Sequence, residues 1–359
     1  MARVVTDSQH YTDIVNALNT LRQNKSGEFM VVGQLKPSEI AEFIELVGNE
    51  VYDNGYYLGE LNSMLDPYTN SNLTEIPNHT YNGCNAFWSV EFPNVTSIGS
   101  YAFNGCSKLG DVYFPLATSI GSYAFNNCGI VDANFPVATG ISGYAFNNCK
   151  KLTGANFPLV TSIGSYSFAG CSMLSSLEFP LVTSVGQYAF HNCNKLTNIS
   201  MPKCDSFSGT YNFYNCTSVT KMSFPELVTA ANYCFQNCNK MTELYVPKLK
   251  TAKNSWLFQC TSLKILDLPS VTSIDYYGLR CQNLEAVILR NNAVATLHAT
   301  PASTQDSFRK GTCYVYVPAA LVDTYKASTN WSTYASQIRT LEDYTVDGTT
   351  TGALDESKI

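Results

Sequence analysis

Ten cysteines, Cys84, Cys106, Cys128, Cys149, Cys171, Cys193, Cys216, Cys238, Cys260 and Cys281, follow one another at intervals of 21 to 23 residues. A period of that length restricts the chain to folds that stack one small unit, because a unit this short cannot bury a core alone. Pro93, Pro115, Pro136, Pro158, Pro180, Pro202, Pro225, Pro247 and Pro269 keep the same beat. Two residue types locked to one period make coincidence negligible.

Each unit runs C-x-x-L-x-x-L-x-F-P-x-(V/A)-T-x-I-G-x-Y-A-F-x-N. In the unit led by Cys171 the apolar trio is Leu174, Leu177 and Phe179; later units carry Leu196, Ile199 and Met201, then Met241, Leu244 and Val246. The last two of each trio alternate as a short strand does, and proline follows where a missing ladder donor does least harm. So short a strand has to stack on its neighbours in parallel. The second half of the unit adds another apolar set, Ile163 with Phe168 or Val185 with Phe190. Gly99, Gly121, Gly164 and Gly186 mark a corner that calls for positive φ or for close approach to the next coil, and one unit has "ISG" there, Ile141 to Gly143.

The pattern resembles the leucine-rich repeats of BspA-like surface proteins over residues 73–290, where "LxxLxFP", "TSIGSYAF" and "NC" recur in order. That resemblance implies an α/β repeat solenoid, an arc of parallel short strands whose strand-bearing face binds, and an adhesin or binding protein that contacts host proteins or other cells. Residues 314–341, "YVYVPAALVDTYKASTNWSTYASQIRTL", resemble the segment that closes such arrays: a strand ending at Val317, a short helix over Leu321, Val322 and Tyr325, then Trp331, Tyr334 and Ile338 over the open core. Residues 291–341 are therefore expected to form an irregular last repeat and C-terminal cap, and 342–359 a flexible tail.

At the other end, Ile14, Ala17, Leu18 and Leu21 fall at helical spacing, and Ile40, Phe43, Ile44 and Val47 repeat it after Pro37. A small helical hairpin over 1–50 is expected, capping the array or attaching it to a virion, with 51–72 as linker and entry coil. Residues 11–47 resemble a module at the N-termini of tail-associated proteins of Firmicutes phages and prophages, carried by Tyr11, Asp13, Ile14, Ala17, Leu18, Arg22, Gly27, Pro37, Glu39 and Ile40. This second resemblance implies a tail-associated protein that recognises a bacterial surface, with other virion proteins as partners through residues 1–50. The alternative is a bacterial surface adhesin that binds a host protein or glycan.

One cysteine per unit at a constant place reads as a ladder of small buried side chains with weak S–H donors. Disulfides between neighbouring coils are not sterically excluded, but they would have to choose pairs arbitrarily along a regular edge. Structural zinc wants a tetrahedral cluster rather than a line of thiols. The closest pair, Cys234 and Cys238, has Cys234 where other units carry Ala102, Ala124 or Ala189, a small-for-small core substitution. Cys204 and Cys313 fall outside the ladder as candidate free thiols.

Only 14% of residues are charged, the net charge is −6, and no Lys/Arg cluster offers a phosphate footprint, so nucleic acid is not an expected partner. The opening residues lack a signal-peptide core and no stretch approaches 18 apolar residues, which predicts neither classical secretion nor membrane insertion. The expected location is extracellular or virion-associated. The sequence has no HExxH, GxSxG, phosphate loop or dinucleotide turn, and no catalytic residue, cofactor or metal is assigned. Glycan cleavage, the enzymatic alternative, needs two carboxylates at fixed spacing, and the repeat singles out no such pair. His191 stands where other units carry Asn126 or Asn147 and reads as a surface filler.

Two surfaces are candidates for binding. Outward strand positions hold Asp111, Tyr113, Asp132, Asn134, Glu178, Ser200, Lys221, Glu243, Tyr245, Lys264 and Asp267, which vary while the core does not. The second is an aromatic stripe, Tyr101, Tyr123, Tyr144, Tyr166, Tyr188, Tyr211 and Tyr233, each two residues before a core Phe. In extended backbone that spacing puts both rings on one side, at the edge of the core. As a track it suits glycans or protein partners.

Overall fold

In the computed structural model, residues 68–85, 87–298, 313–346 and 349–350 are described. Each repeat makes one coil with two short parallel strands. The first ladder uses three-residue strands, of which Ser176–Glu178 pairs with Asn198–Ser200 in the register Ser176↔Asn198, Leu177↔Ile199, Glu178↔Ser200. The second uses two-residue strands and runs unbroken through seven of them, from Glu75–Ile76 to Ser206–Phe207. Ser162↔Ser184 and Ile163↔Val185 typify its register.

The third side of each coil is a turn whose amides alternate in direction. Tyr123, Phe125 and Asn127 donate to the next coil, to the carbonyls of Gly143, Ala145 and Asn147 at 3.1, 2.8 and 2.8 Å. Ala124, Asn126 and Cys128 donate back within their own turn, to Gly121, Tyr123 and Phe125. The left-handed backbone at Tyr123 (φ 58°) and Asn127 (φ 57°) allows this alternation. A helix sends every amide along its own axis, so the coils contain none. The described array is a parallel-strand β-solenoid arc rather than α/β.

The helical elements correct a further expectation. The short helices of the described residues lie near the C-terminus, within 319–343, and are not an N-terminal cap. The hairpin expected over 1–50 lies outside the described residues. At the C-terminal end Tyr314–Val317 pairs with Ala286–Ile288 and Ile338–Thr340, and Val322–Ala327 and the 3-10 segment Trp331–Gln337 fold over the last coil. Tyr325, Trp331, Tyr334 and Ile338 are buried there, where the coil interior would otherwise meet water. The Trp331 indole donates to the Ala295 carbonyl and the Ala295 amide to the Tyr325 hydroxyl, so the buried polar ends are satisfied. Structure continues past residue 341: Tyr344 is buried with Ala286 and Ile288, and Thr345–Val346 pairs antiparallel with Thr349–Thr350.

The core consists of two interlocked columns of phenylalanine. Phe103, Phe125, Phe146, Phe168 and Phe190 stack at centroid spacings of 5.2 to 5.6 Å, and Phe92, Phe114, Phe135, Phe157 and Phe179 at 5.3 to 6.0 Å. Rings of the two columns meet edge to face, as Phe114 meets Phe125 at 62°. Each such ring, fully removed from water, contributes roughly 1.5–3 kcal/mol of hydrophobic stabilisation. The corner glycine serves close approach and not positive φ: a Cβ on Gly164 would lie 2.6 Å from the Gly143 nitrogen and from the Ser142 carbonyl carbon.

The first ladder lapses between Asp111–Tyr113 and Asp132–Asn134, between Asn198–Ser200 and Lys221–Ser223, and between Glu243–Tyr245 and Ile265–Asp267, and at the middle one of these the second ladder lapses as well. The coil between Cys193 and Cys216 is 23 residues long. No strand pairing in register joins Asn198–Ser200 to Lys221–Ser223, and the second ladder continues past Ser206–Phe207 only through isolated bridges at Thr229. Buried Asn212 stands here in the column that holds Ala189, and its amide donates to the Val185, Gly186 and Ser208 carbonyls, tying the longer loop to the coil before it.

Candidate functional site

The alternation of the three-residue strands decides what the strand side presents. In Asp132–Asn134 and Ser176–Glu178 the middle residue is buried and both flanking residues are exposed. Asp111, Tyr113, Asp132, Asn134, Glu178, Ser200 and Lys221 are exposed, and Glu243, Tyr245 and Asp267 half-buried, with exposed Lys264 just ahead of its strand. Register aligns them in columns, Asn156↔Glu178↔Ser200 and Lys221↔Glu243 among them. The face anticipated from the repeat is therefore one continuous side of the solenoid.

Its two ends differ in chemistry. Lys221 pairs with Glu243 at 2.9 Å, Lys264 with Glu285 at 2.7 Å, and Arg290 with Asp267 at 2.8 Å. Burial raises the Asp267 carboxyl above its ordinary range, and the Arg290 guanidinium pulls it back. Toward the N-terminal end Asn156 donates to Asn134 at 2.8 Å, Thr153 to Asp132 at 3.2 Å and Thr69 to Glu91 at 3.3 Å.

Sequence reasoning missed Trp88 and Glu91. Trp88 is 48% exposed beside the strand Ser89–Glu91, with the Lys108 ammonium 5.9 Å from its ring centroid. Applying the same outward positions to the unit led by Cys84 would have found them.

The tyrosine stripe is a different object from the one extended backbone would make. Tyr101, Tyr123, Tyr144, Tyr166, Tyr188, Tyr211 and Tyr233 all have φ between 55° and 60°, which turns each ring away from the buried Phe two residues on. The rings stack on one another at 4.4 to 4.9 Å with interplanar angles of 5° to 19°, and His79 extends the column at 4.7 Å from Tyr101. Their faces are thus turned to each other, leaving edges and hydroxyls outward. A glycan ring or partner side chain that needs an aromatic face finds it at Trp88 rather than here.

The cysteine ladder is buried, and none of the thirteen thiols is in a disulfide. Each ladder thiol from Cys106 to Cys260 donates to the carbonyl of an aromatic residue in the turn of the coil before: Cys149 to Phe125 at 3.0 Å, Cys171 to Phe146 at 3.1 Å, Cys193 to Phe168 at 3.2 Å. Those carbonyls also accept an amide of their own turn, such as Cys149 N–H on Phe146. Cysteine supplies a small apolar body together with the second donor. Cys204 fills a core position held by Val160 and Val182 in earlier coils, and Cys313 immediately precedes the strand Tyr314–Val317. Burial pushes the Cys149, Cys204 and Cys234 thiols up to about 12, so at neutral pH they are protonated rather than nucleophilic. His191 stacks on Tyr214 at 5.1 Å, and burial lowers its pKa. Among the described residues no cluster of His, Cys, Asp or Glu could hold a metal ion, and no helix is long and apolar enough to cross a membrane.

The sequence matches the family described as BspA type Leucine rich repeat region, in overlapping segments 25–153, 74–181, 139–248 and 209–299. No curated protein matches it. Among solved structures it is similar to a leucine-rich repeat protein from Bacteroides ovatus (20% identity, 76% of this chain and 82% of that one, TM-score 0.43). It is also similar to the pneumococcal vaccine antigen PcpA (16%, 70% and 77%, TM-score 0.37) and to a leucine rich cell surface protein from Faecalibacterium prausnitzii (18%, 61% and 77%, TM-score 0.34).

Proposed function

The chain belongs to the BspA-type leucine-rich-repeat family, a non-catalytic binding scaffold, and from that premise we propose that it is an extracellular adhesin. In this reading a protein or glycan of another cell lies along the strand side of the solenoid. One observation carries it: the outward strand positions are exposed or half-buried and chemically unlike from coil to coil, while the columns beneath them repeat phenylalanine, leucine and cysteine. Packing demands the repetition; nothing in the fold demands the variation. Residues that a scaffold does not need and still varies are those available for recognition.

A second reading, attachment to a phage tail, is favoured only by the residue pattern of 11–47, which lies outside the described residues. Neighbouring genes separate the two: tail, baseplate or lysis genes favour the virion, a cell-surface locus the adhesin.

The binding claim is tested with fluorescently labelled intact protein on panels of bacterial cells, host cells and glycans. A variant changed at Tyr113, Glu178, Glu243 and Tyr245 should keep its melting transition and lose most binding. Full binding by that folded variant would place recognition off this face.

A further inference from the structure

The strand side is divided at the irregular coil between residues 200 and 221, and its two halves are differently finished. Beyond that coil, cations on and beside the strands meet anions: Lys221 with Glu243, Lys264 with Glu285, Arg290 with Asp267. Before it, the first-ladder strands from Ser89–Glu91 to Asn198–Ser200 carry Glu91, Asp111, Asp132 and Glu178 and no basic residue. Among the described residues none of these four carboxylates makes an ion pair; Asp132 and Glu91 accept threonine hydroxyls. The lysines of this half, Lys108, Lys150, Lys151 and Lys195, sit in the turns that precede the strands.

Apolar exposure is divided in the same way. Among the described residues six large apolar side chains, Trp88, Tyr113, Leu116, Val131, Leu159 and Met173, are exposed before the irregular coil, and three, Val228, Tyr276 and Tyr314, after it. Val131 stands just ahead of its strand and Met173 in the turn before the next but one, while Leu116 and Leu159 directly follow the proline that ends theirs. The acidic columns are thus bordered by apolar side chains at both strand ends. After the irregular coil the position following proline is taken by Glu226 and Lys248, paired at 2.6 Å.

Uncompensated carboxylates between apolar borders, with aromatic faces and edges open at Trp88 and Tyr113, are complementary to a chain that alternates cations with apolar side chains. The Lys108 ammonium lies 5.9 Å from the Trp88 ring centroid, within the range at which a ring face attracts a cation. We propose that the strand face of residues 88–200 docks a basic, partly apolar segment of a protein, and that the half beyond residue 221 is a solvated extension of the scaffold. The proposal rests on the adhesion reading and names its partner class. A neutral glycan could donate hydroxyls to these carboxylates but carries no charge, so its binding would not weaken with salt, and a nucleic acid is repelled by them.

The test uses labelled synthetic peptides of equal length, alternating Lys and Leu, Glu and Leu, or Ser and Leu, titrated with the intact protein at low and high salt. The Lys/Leu peptide should bind best, and its affinity should fall with salt. Glu91→Gln, Asp111→Asn, Asp132→Asn and Glu178→Gln together should weaken it roughly tenfold or more, as charge pairs lost from an interface do. Leu116→Ser with Leu159→Ser should weaken it severalfold without changing the salt dependence. Glu226→Gln with Lys248→Gln, a pair beyond the irregular coil, should leave it unchanged. Thermal melts verify that every variant is folded.

Equal binding of the Glu/Leu peptide, or equal losses from the two charge variants, would overturn the proposal. So would cell binding that survives the four-carboxylate variant; the adhesion reading would stand in that case. Failure of the intact protein to bind any cell or glycan would instead sink the adhesion reading, whatever the peptides do.

Discussion

The Cys171 thiol donates to the Phe146 carbonyl of the coil before it, 3.1 Å away, and that carbonyl already accepts the Cys149 amide of its own turn. The repeated cysteine is explained by this second lone pair as much as by volume. Cys171→Ala removes the donor and opens a small void, for an expected loss of about 1–3 kcal/mol. Cys171→Ser retains a donor on a shorter bond in an apolar slot, and about 1–2 kcal/mol is expected. Equilibrium urea unfolding measures both. Two neutral substitutions would mean that the thiol bond contributes nothing.

The same ladder predicts alkaline fragility. Burial raises the folded-state thiol pKa to about 12 at Cys149 and Cys234 and about 11 at Cys281, above the unfolded value near 9. A raised pKa means that the folded state holds protons which the unfolded state releases. The thiol contribution is therefore complete below pH ~9 and is lost as pH rises through the folded values, at up to about 1.4 kcal/mol per pH unit for each thiol. Denaturant midpoints at pH 7, 9 and 10.5 should fall steeply over the last interval. A flat profile would show that the thiols ionise without unfolding.

Tyr166 tests the outer column. It stacks on Tyr144 and Tyr188, each at 4.6 Å, with its edge outward. Tyr166→Phe keeps both contacts and should change stability by less than about 0.5 kcal/mol, whereas Tyr166→Ala loses two aromatic pairs, about 1–3 kcal/mol. Calorimetric melts of the two variants separate stacking from any role of the hydroxyl.

Backbone handedness gives two predictions of opposite sign. Asn127 (φ 57°) occupies the left-handed position that Gly105 and Gly170 fill in other coils, so Asn127→Gly should stabilise by a few tenths to about 1 kcal/mol. Gly164→Ala drives a methyl into the Gly143 and Ser142 backbone and should cost about 1–3 kcal/mol or more. Urea midpoints decide both; a neutral Gly164→Ala would show that the coils can part at this corner.

Periodicity made much of this legible. Cysteine and proline at a fixed interval gave the coil, its parallel strands and the outward positions, because strand alternation follows directly from the spacing of Leu177 and Phe179. The turn did not follow from spacing. "GSYAFNNC" can be read as extended, but Tyr123 and Asn127 are left-handed, and only the alternating amide directions of a stacked turn require that. Tyrosine at positive φ is uncommon enough that propensity points the other way, and stacking of the ring on both neighbours outweighs the local cost. Division of the strand side was also present in the sequence, as Glu91, Asp111, Asp132 and Glu178 against Lys221, Lys264 and Arg290. It gains meaning only once the register places these residues on one face.

Oxidative side-chain footprinting of the intact protein, free and bound to the cells it recognises, determines whether the strand side is the face that meets the partner. Trp88, Tyr113 and Met173, exposed on or near the strands, should be protected on binding, while the edges of Tyr123, Tyr144 and Tyr166 in the turn column should oxidise at their free rates. Protection of the tyrosine column with Trp88 and Tyr113 unchanged would contradict recognition by the strand side.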